Sequence, residues 1–186
     1  MPDERFSRLV SLACHDLRTP LATIYGFART LNRMEDQDER TARFLSMIEE
    51  AAEQMTELLE ELGTVARIEG RRWEPVLRET DTLELARAGD ERIAVEGAGA
   101  AIETEPDAVA RSLQAFAVAA LRHGPVEQVV WQVDGRTLEL SPVTANAGPV
   151  VNGDSLRDLG SAVARLVIEE LGGSVELADG TLRVQL

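Results

Sequence analysis

Cys14-His15-Asp16-Leu17-Arg18-Thr19-Pro20-Leu21 lies inside a long run of helical periodicity near the N-terminus. At roughly 100° per residue around a helix, the apolar side chains of this run share one stripe. Its members are Phe6, Val10, Ala13, Leu17, Leu21, Ile24, Ala28 and Leu31. By the same count His15 points away from the stripe, and Thr19 lies one turn further along beside it. The pattern predicts an exposed imidazole on a rigid helix, next to a carboxylate and one turn from a hydroxyl. In most proteins such a pair is only a solvated surface pair.

Composition narrows the classes of partner. The 186 residues are 44% hydrophobic, which suffices for one or two small cores. The formal net charge of −14 argues against nucleic acid or an anionic membrane as partner, because both would be repelled. No apolar run approaches the roughly 20 residues of a membrane span. One cysteine and two distant histidines predict no disulfide, no metal site and a cytoplasmic protein.

Two long amphipathic helices are predicted at the N-terminal end. The first runs from Asp3 to Asn32, with a kink at Pro20, and the second from Gln37 to Glu69. Asp36 is the predicted N-cap of the second helix, with Glu39 three residues later. The second apolar stripe consists of Phe44, Ile48, Ala51, Met55, Leu58, Leu62 and Val65. Two helices cannot bury both stripes alone, so we expect two copies to form a four-helix bundle.

The rest of the chain alternates short strands and helices, which predicts an α+β fold with helices packed on one face of a sheet. The predicted elements are a strand at Ile93–Val95, a glycine loop through Gly97 and Gly99, a helix capped by Thr104 and running to Leu121, strands at 129–133 and 137–140, a helix at Ser161–Leu171, and a C-terminal hairpin turning at Asp179-Gly180.

The run from Cys14 to Leu21 resembles the H-box of two-component sensor histidine kinases of the HisKA type, in which the histidine carries a phosphoryl group. The resemblance implies that His15 is the phosphoryl acceptor and that Asp16 orients its ring and accepts a proton. Arg18 could offset charge on the arriving phosphoryl group. Thr19 matches the position that helps to place water for dephosphorylating a receiver domain, although it could equally be only a polar residue before Pro20.

The C-terminal part resembles the catalytic and ATP-binding domain of the same kinases, but it departs from the nucleotide motifs of the family. Two asparagines of the family's N-box correspond here to Ala115 and Ala119, which cannot hold magnesium. The stretch 141–148 lacks the adenine-binding aspartate. Asp158 stands where a phosphate-binding glycine is expected, and the lid segment, about 150–157, is very short. The sequence therefore predicts no ATP, no metal and no other cofactor.

Together these features predict a phosphotransfer protein. Residues 1–70 are expected to form the dimerisation and histidine phosphotransfer hairpin, and residues 71–186 a degenerate α/β sandwich of the histidine kinase type. His15 would accept phosphate from the aspartate of a response-regulator receiver domain and pass it to another regulator. Such docking points to Tyr25 and Phe27 as contacts.

Three alternatives stay open at this point. The chain could be an ATP-dependent histidine kinase core with a divergent nucleotide site, which would label His15 from Mg-ATP. It could be a non-enzymatic dimeric scaffold for a receiver, in which His15→Ala changes nothing. It could also be only a phosphatase, in which Thr19→Ala is more damaging than His15→Ala.

Overall fold

The chain divides into two compact units, which are described separately. In the computed structural model the described residues are 4–33, 38–87, 89–155 and 157–186. Unit one comprises Met1–Trp73 and unit two comprises Glu74–Leu186.

Unit one is a pair of packed helices, α1 (Glu4–Asn32) and α2 (Glu39–Glu69). Asp36, the predicted cap of α2, lies outside the described residues, and Asp38 caps the helix instead. Its carboxylate accepts hydrogen bonds from the Thr41 amide at 2.9 Å and from the Thr41 hydroxyl at 2.7 Å. These bonds favour the charged carboxylate and lower the pKa of Asp38. The helix begins here because Asp38 has the extended backbone that an N-cap requires.

The seam between the two helices is narrower than the predicted stripes. It buries side chains at heptad spacing on both helices, namely Cys14, Leu21 and Ala28 on α1 and Leu45, Ala52, Leu59 and Ala66 on α2. Of the predicted α1 stripe, Leu17, Ile24 and Leu31 are exposed, and the Phe6 and Ala13 side chains lie outside the described residues. None of the predicted α2 stripe is fully buried. Each apolar stripe is about 100° wide, and the other helix of the hairpin covers only one side of it. The apolar side chains on the other side of the stripe stay exposed.

Unit two is built on a five-stranded sheet in the order β2-β4-β5-β7-β6. β2 pairs with β4 in parallel, and the other neighbours are antiparallel. β1 and β3 form a separate antiparallel pair. The elements are β1 (Arg78–Asp81), α3 (Thr82–Ala86), β2 (Ile93–Gly99), β3 (Ala101–Thr104), α4 (Pro106–His123), β4 (Val129–Gly135), β5 (Thr137–Ser141), α5 (Gly148–Val151), α6 (Leu159–Glu170), β6 (Ser174–Ala178) and β7 (Thr181–Gln185).

The core of unit two lies between this sheet and the helices α4 and α6. Residues 129, 131 and 133 of β4 are buried, while those between them are more exposed, as a strand with one covered face requires. Trp131 and Phe116 are the largest side chains with no exposed surface. The predicted sheet with packed helices is therefore present.

Several local predictions for unit two were wrong. Thr104 ends β3, and Glu105 caps α4 by accepting from the Ala108 amide. Gly97 belongs to β2 rather than to a loop, and at its φ of 106° a Cβ would overlap the Val133 carbonyl. α6 begins before Ser161, because Asp158 caps it. The short elements β1, α3 and α5 were not predicted.

Candidate functional site

His15 lies in the first half of α1, on its solvent side. The neighbouring Cys14 is buried in the seam, whereas His15, Arg18 and Thr19 are all exposed. The imidazole is thus exposed to solvent, while the adjacent Cys14 packs against α2. The side chain of Asp16, the predicted partner of His15, lies outside the described residues.

Thr19 lies one helical turn after His15. Residues four apart lie on the same side of a helix, about 6 Å along its axis, so His15 and Thr19 are neighbours. α1 continues through Pro20, which has no N–H to donate to the Asp16 carbonyl. One turn later the Thr23 hydroxyl donates to the Thr19 carbonyl at 3.1 Å. Whether Pro20 kinks the helix stays a prediction.

Polar contacts join α1 and α2 on the C-terminal side of His15. Arg29 donates to the Tyr25 hydroxyl at 2.9 Å, and its guanidinium lies 3.9 Å from the Glu49 carboxylate. Tyr25 itself packs partly buried against the seam. Its hydrogen bond with Glu53 raises the pKa of the Tyr25 hydroxyl. Of the two predicted docking contacts, Tyr25 thus contributes to the hairpin's own packing, and Phe27 is 67% exposed.

The second region of interest is the part of unit two in which the sequence departs from the nucleotide motifs. Ala119 has no exposed surface and belongs to the core, and Ala115 packs against the same cluster. The Ala119 methyl group is therefore part of the hydrophobic interior, and that of Ala115 lies at its edge.

The stretch after β5 adds further apolar side chains to this interior. Val143 and Ala147 lie in the core cluster, and Val151, at the end of α5, has no exposed surface. A hydrogen bond connects the residue after α5 to α6, because Arg165 on α6 donates to the Asn152 carbonyl at 2.8 Å. The segment that corresponds to a lid thus begins with a helical turn packed into the core.

Asp158 is buried and has several polar partners. Its Oδ1 accepts from the Ser161 amide at 3.1 Å, which caps α6. Its Oδ2 lies 3.1 Å from the Arg122 guanidinium and 3.1 Å from Nε2 of His123. Arg122 and His123 stand at the C-terminal end of α4. Sequence reasoning did not identify these two partners, although adjacent basic residues at the end of a helix were a visible signal.

Metal and membrane signatures are not found in the described ranges. No group of three or more His, Cys, Asp or Glu side chains within them is placed to hold a metal ion. Likewise, none of the described helices is long and apolar enough to cross a bilayer.

The sequence of unit one is similar to sequences of known histidine kinases. Residues 7–71 match the family of the His Kinase A (phospho-acceptor) domain, and His15 lies inside that stretch. Residues 7–71 are thus similar to a phospho-acceptor domain of this type. Over 65 residues the chain is 37% identical to the probable sensor histidine kinase TcrY of Mycobacterium tuberculosis (strain ATCC 25618 / H37Rv). That stretch is 35% of this chain and 14% of TcrY, so the chain covers only a small part of this relative.

Two solved histidine kinase structures are similar in fold to nearly the whole chain. Full-length ShkA, crystallised in complex with AMPPNP, matches with a TM-score of 0.67 and 21% identity over 95% of this chain and 45% of that one. The Acinetobacter baumannii histidine kinase AdeS matches with a TM-score of 0.59 and 17% identity over 92% of this chain and 96% of that one. At such identities the likeness is one of fold. It confirms the predicted helical hairpin followed by a domain that resembles histidine kinase ATP-binding domains.

Proposed function

We propose that this chain is a phosphotransfer protein of a two-component relay that works without ATP. His15 accepts a phosphoryl group from a receiver-domain aspartate and passes it to another response regulator. The single observation that carries the proposal is the contrast between the exposed His15 and the filled interior of unit two. The domain roles follow this contrast, with transfer assigned to residues 1–70 and no nucleotide chemistry to residues 71–186.

The proposed step needs only the side chains of α1 and the incoming receiver. A nitrogen of the neutral imidazole attacks the phosphorus of the aspartyl phosphate, forming a P–N bond. The bond from phosphorus to the aspartyl oxygen breaks, and the aspartate leaves as a carboxylate. Asp16 accepts the proton of the other ring nitrogen, and Arg18 offsets the charge of the phosphoryl group. The reverse sequence delivers the group to the next receiver.

The interior of unit two supports the absence of an ATP step. Of the two positions that match the asparagines of the N-box, Ala119 is packed in the core and Ala115 is partly buried against it. An alanine cannot ligate magnesium, and the Ala119 side chain, which has no exposed surface, leaves no space for a ligand. At the start of α6 the Asp158 carboxylate would repel a phosphate. All three features act against Mg-ATP.

The uncovered apolar face of the hairpin supports a homodimer. Leu17, Ile24 and Leu31 repeat every seven residues on α1, as do Ile48, Met55 and Leu62 on α2, and all six are exposed. A second copy of this face would bury both rows in a four-helix bundle. The net charge of −14 opposes nucleic acid and anionic membranes, and we propose a cytoplasmic relay protein.

The experiment that tests this function uses the two histidines of the chain as test and control. The full chain is mixed with a receiver domain labelled on its aspartyl phosphate, and acid-labile label on the chain is followed. We expect label on wild type and on His123→Gln, and none on His15→Ala. Equal labelling of His15→Ala would refute His15 as acceptor. No label from any receiver would favour the scaffold.

A second candidate is an ATP-dependent histidine kinase core. It is favoured by the histidine kinase fold of both units. The two functions separate cleanly, because only the kinase predicts labelling of His15 by Mg-ATP with no receiver present. A phosphatase-only role predicts that Thr19→Ala impairs receiver dephosphorylation more than His15→Ala does.

A further inference from the structure

The strap, residues 148–155, is a short segment after β5 that lies against α6. It begins with α5, which contacts both α4 and α6. Val150 and Val151 of the strap are buried. Gly153 has a φ of 78°, and a Cβ at this residue would lie 3.3 Å from Cδ of Arg165. The backbone of the strap therefore approaches α6 closely.

Two side chains of α6 hold the strap. The fully buried Ser161 donates through its hydroxyl to the Val150 carbonyl at 2.8 Å. One turn later Arg165 donates to the Asn152 carbonyl at 2.8 Å, and its guanidinium lies 3.7 Å from the Asp154 carboxylate. Residues four apart lie on the same side of a helix, so one face of α6 makes both bonds. The strap is therefore bonded to α6 at two successive points.

The closed strap also contains an unpaired polar atom. Oδ1 of Asn152 is buried and has no hydrogen-bond partner among the described residues, whereas the amide nitrogen of the same side chain donates to Asp154 at 2.8 Å. A buried acceptor without a hydrogen bond destabilises the state in which it occurs. Opening of the strap would expose this oxygen to water, so the Asn152 side chain opposes closure.

We propose that the strap is a separate two-state element, which Arg165 holds closed against the unpaired oxygen of Asn152. Loss of the bond from Arg165 to the Asn152 carbonyl lets the strap open, while the sheet and α4 stay folded. Val151 then becomes accessible in a molecule that is otherwise native. This inference does not depend on phosphotransfer at His15, and either can fail without the other.

The test measures opening of the strap by the reactivity of a buried thiol. The chain has one cysteine, so Cys14→Ala supplies a background without thiols. In that background Val151→Cys places a thiol in the strap, and Val184→Cys places one in β7, at a valine that likewise has no exposed surface. Iodoacetamide reacts only with an exposed thiol, so the rate of alkylation at low urea concentrations reports opening.

The dependence on urea separates opening of the strap from unfolding of unit two. A small opening exposes little surface, so the alkylation rate of Val151→Cys should rise only weakly with urea, and that of Val184→Cys steeply. Adding Arg165→Gln should accelerate alkylation of Val151→Cys about tenfold and keep the weak urea dependence. An unchanged rate would overturn the proposal, and so would equal rates and equal urea dependence of the two thiols in Arg165→Gln.

Two further variants test the assigned contacts. Glu169→Gln removes the partner of Arg165 on α6, at 2.8 Å, but keeps the bond to the strap. It should change alkylation of Val151→Cys by no more than about twofold. Asn152→Ala removes the unpaired oxygen and should slow this alkylation. An acceleration by Glu169→Gln as large as that by Arg165→Gln would mean that the bond to the strap is not what holds it closed.

Hydrogen exchange decides the matter if Val151→Cys does not fold, because it needs no added thiol. The Asn152, Gly153 and Ser155 amides donate to carbonyls within the strap at 2.9, 3.0 and 2.8 Å. Arg165→Gln alone should accelerate their exchange about tenfold, with a weaker urea dependence than the amides of β7. Strap amides that exchange in Arg165→Gln only together with those of β7 would overturn the proposal.

Discussion

The region around His15 on α1 and the start of α6 differ in whether their polar side chains are exposed or buried. On α1, His15 is held in solvent by a helix whose neighbouring residue, Cys14, is anchored in the seam. At the start of α6, Asp158 is buried and bound by groups of its own chain. An exposed side chain can meet a partner protein, whereas a buried one cannot. We therefore assign the proposed phosphotransfer to the first region and a structural role to the second.

The largest expected effect is a loss of stability that is confined to unit two and leaves the hairpin unchanged. Phe116→Ala removes a fully buried ring and should lower the unfolding free energy of unit two by about 3–5 kcal/mol. Hydrogen exchange should show faster opening of α4 and no change in α1 and α2, because the hairpin has its own core. Val118→Ala, at a partly buried position, is the milder control. Equal loss of protection in both units would contradict their independence.

The next effect concerns the uncovered face of the hairpin. Ile24→Glu places a carboxylate on the face that we propose pairs with a second copy, and the dimer constant should weaken by about 100-fold or more, equivalent to about 3 kcal/mol. Sedimentation equilibrium measures this change. Thr23→Glu adds the same charge at the adjacent exposed position, about 100° around the helix, and should leave the dimer intact. Dimers of unchanged affinity in Ile24→Glu would place the interface elsewhere.

A smaller effect tests whether the position of Ala119 has space for a larger side chain. Ala119→Asn forces an amide into a site with no exposed surface and should cost about 1–3 kcal/mol of stability. Ala115→Asn, at a partly buried position on the same helix, should cost less. Urea unfolding gives both values, and calorimetry with Mg-ATP should show no binding to either variant. Binding of Mg-ATP by Ala119→Asn without loss of stability would show that the site is open.

The smallest effect separates transfer from dephosphorylation. Thr19→Ala should leave the rate at which His15 is labelled by a phosphorylated receiver within about twofold to threefold, a difference of ~0.5 kcal/mol. The reason is that the hydroxyl does not form the P–N bond. The lifetime of phosphate on the receiver is the sensitive measurement. A loss of labelling as large as that of His15→Ala would give Thr19 a direct part in transfer.

The sequence predicted the features that depend on local periodicity. The bounds of α1 and α2 and the C-terminal hairpin follow from apolar spacing and from turn residues such as Asp179-Gly180, and they agree with the structure within a few residues. The exposure of His15 follows from the same helical count. Caps were less secure, because Asp36 and Asp38 are equally good capping residues by type.

Contacts between distant residues could not be predicted in this way. Asp158 was recognised as an anomaly at a helix start, but its partners on α4 depend on how α4 and α6 pack together. The division of each apolar stripe into a buried seam and an exposed face likewise depends on the angle at which the helices meet. The short elements β1, α3 and α5 carry too few residues to show a period.

The most direct test of the central claim compares two phosphoryl donors on one preparation of the protein. Labelling of His15 is followed over time with Mg-ATP alone and with a phosphorylated receiver domain, with His15→Ala as the blank in both. We predict rapid label from the receiver and none above the blank from Mg-ATP. Label on His15 from Mg-ATP alone would contradict the claim and identify the chain as an ATP-dependent kinase core.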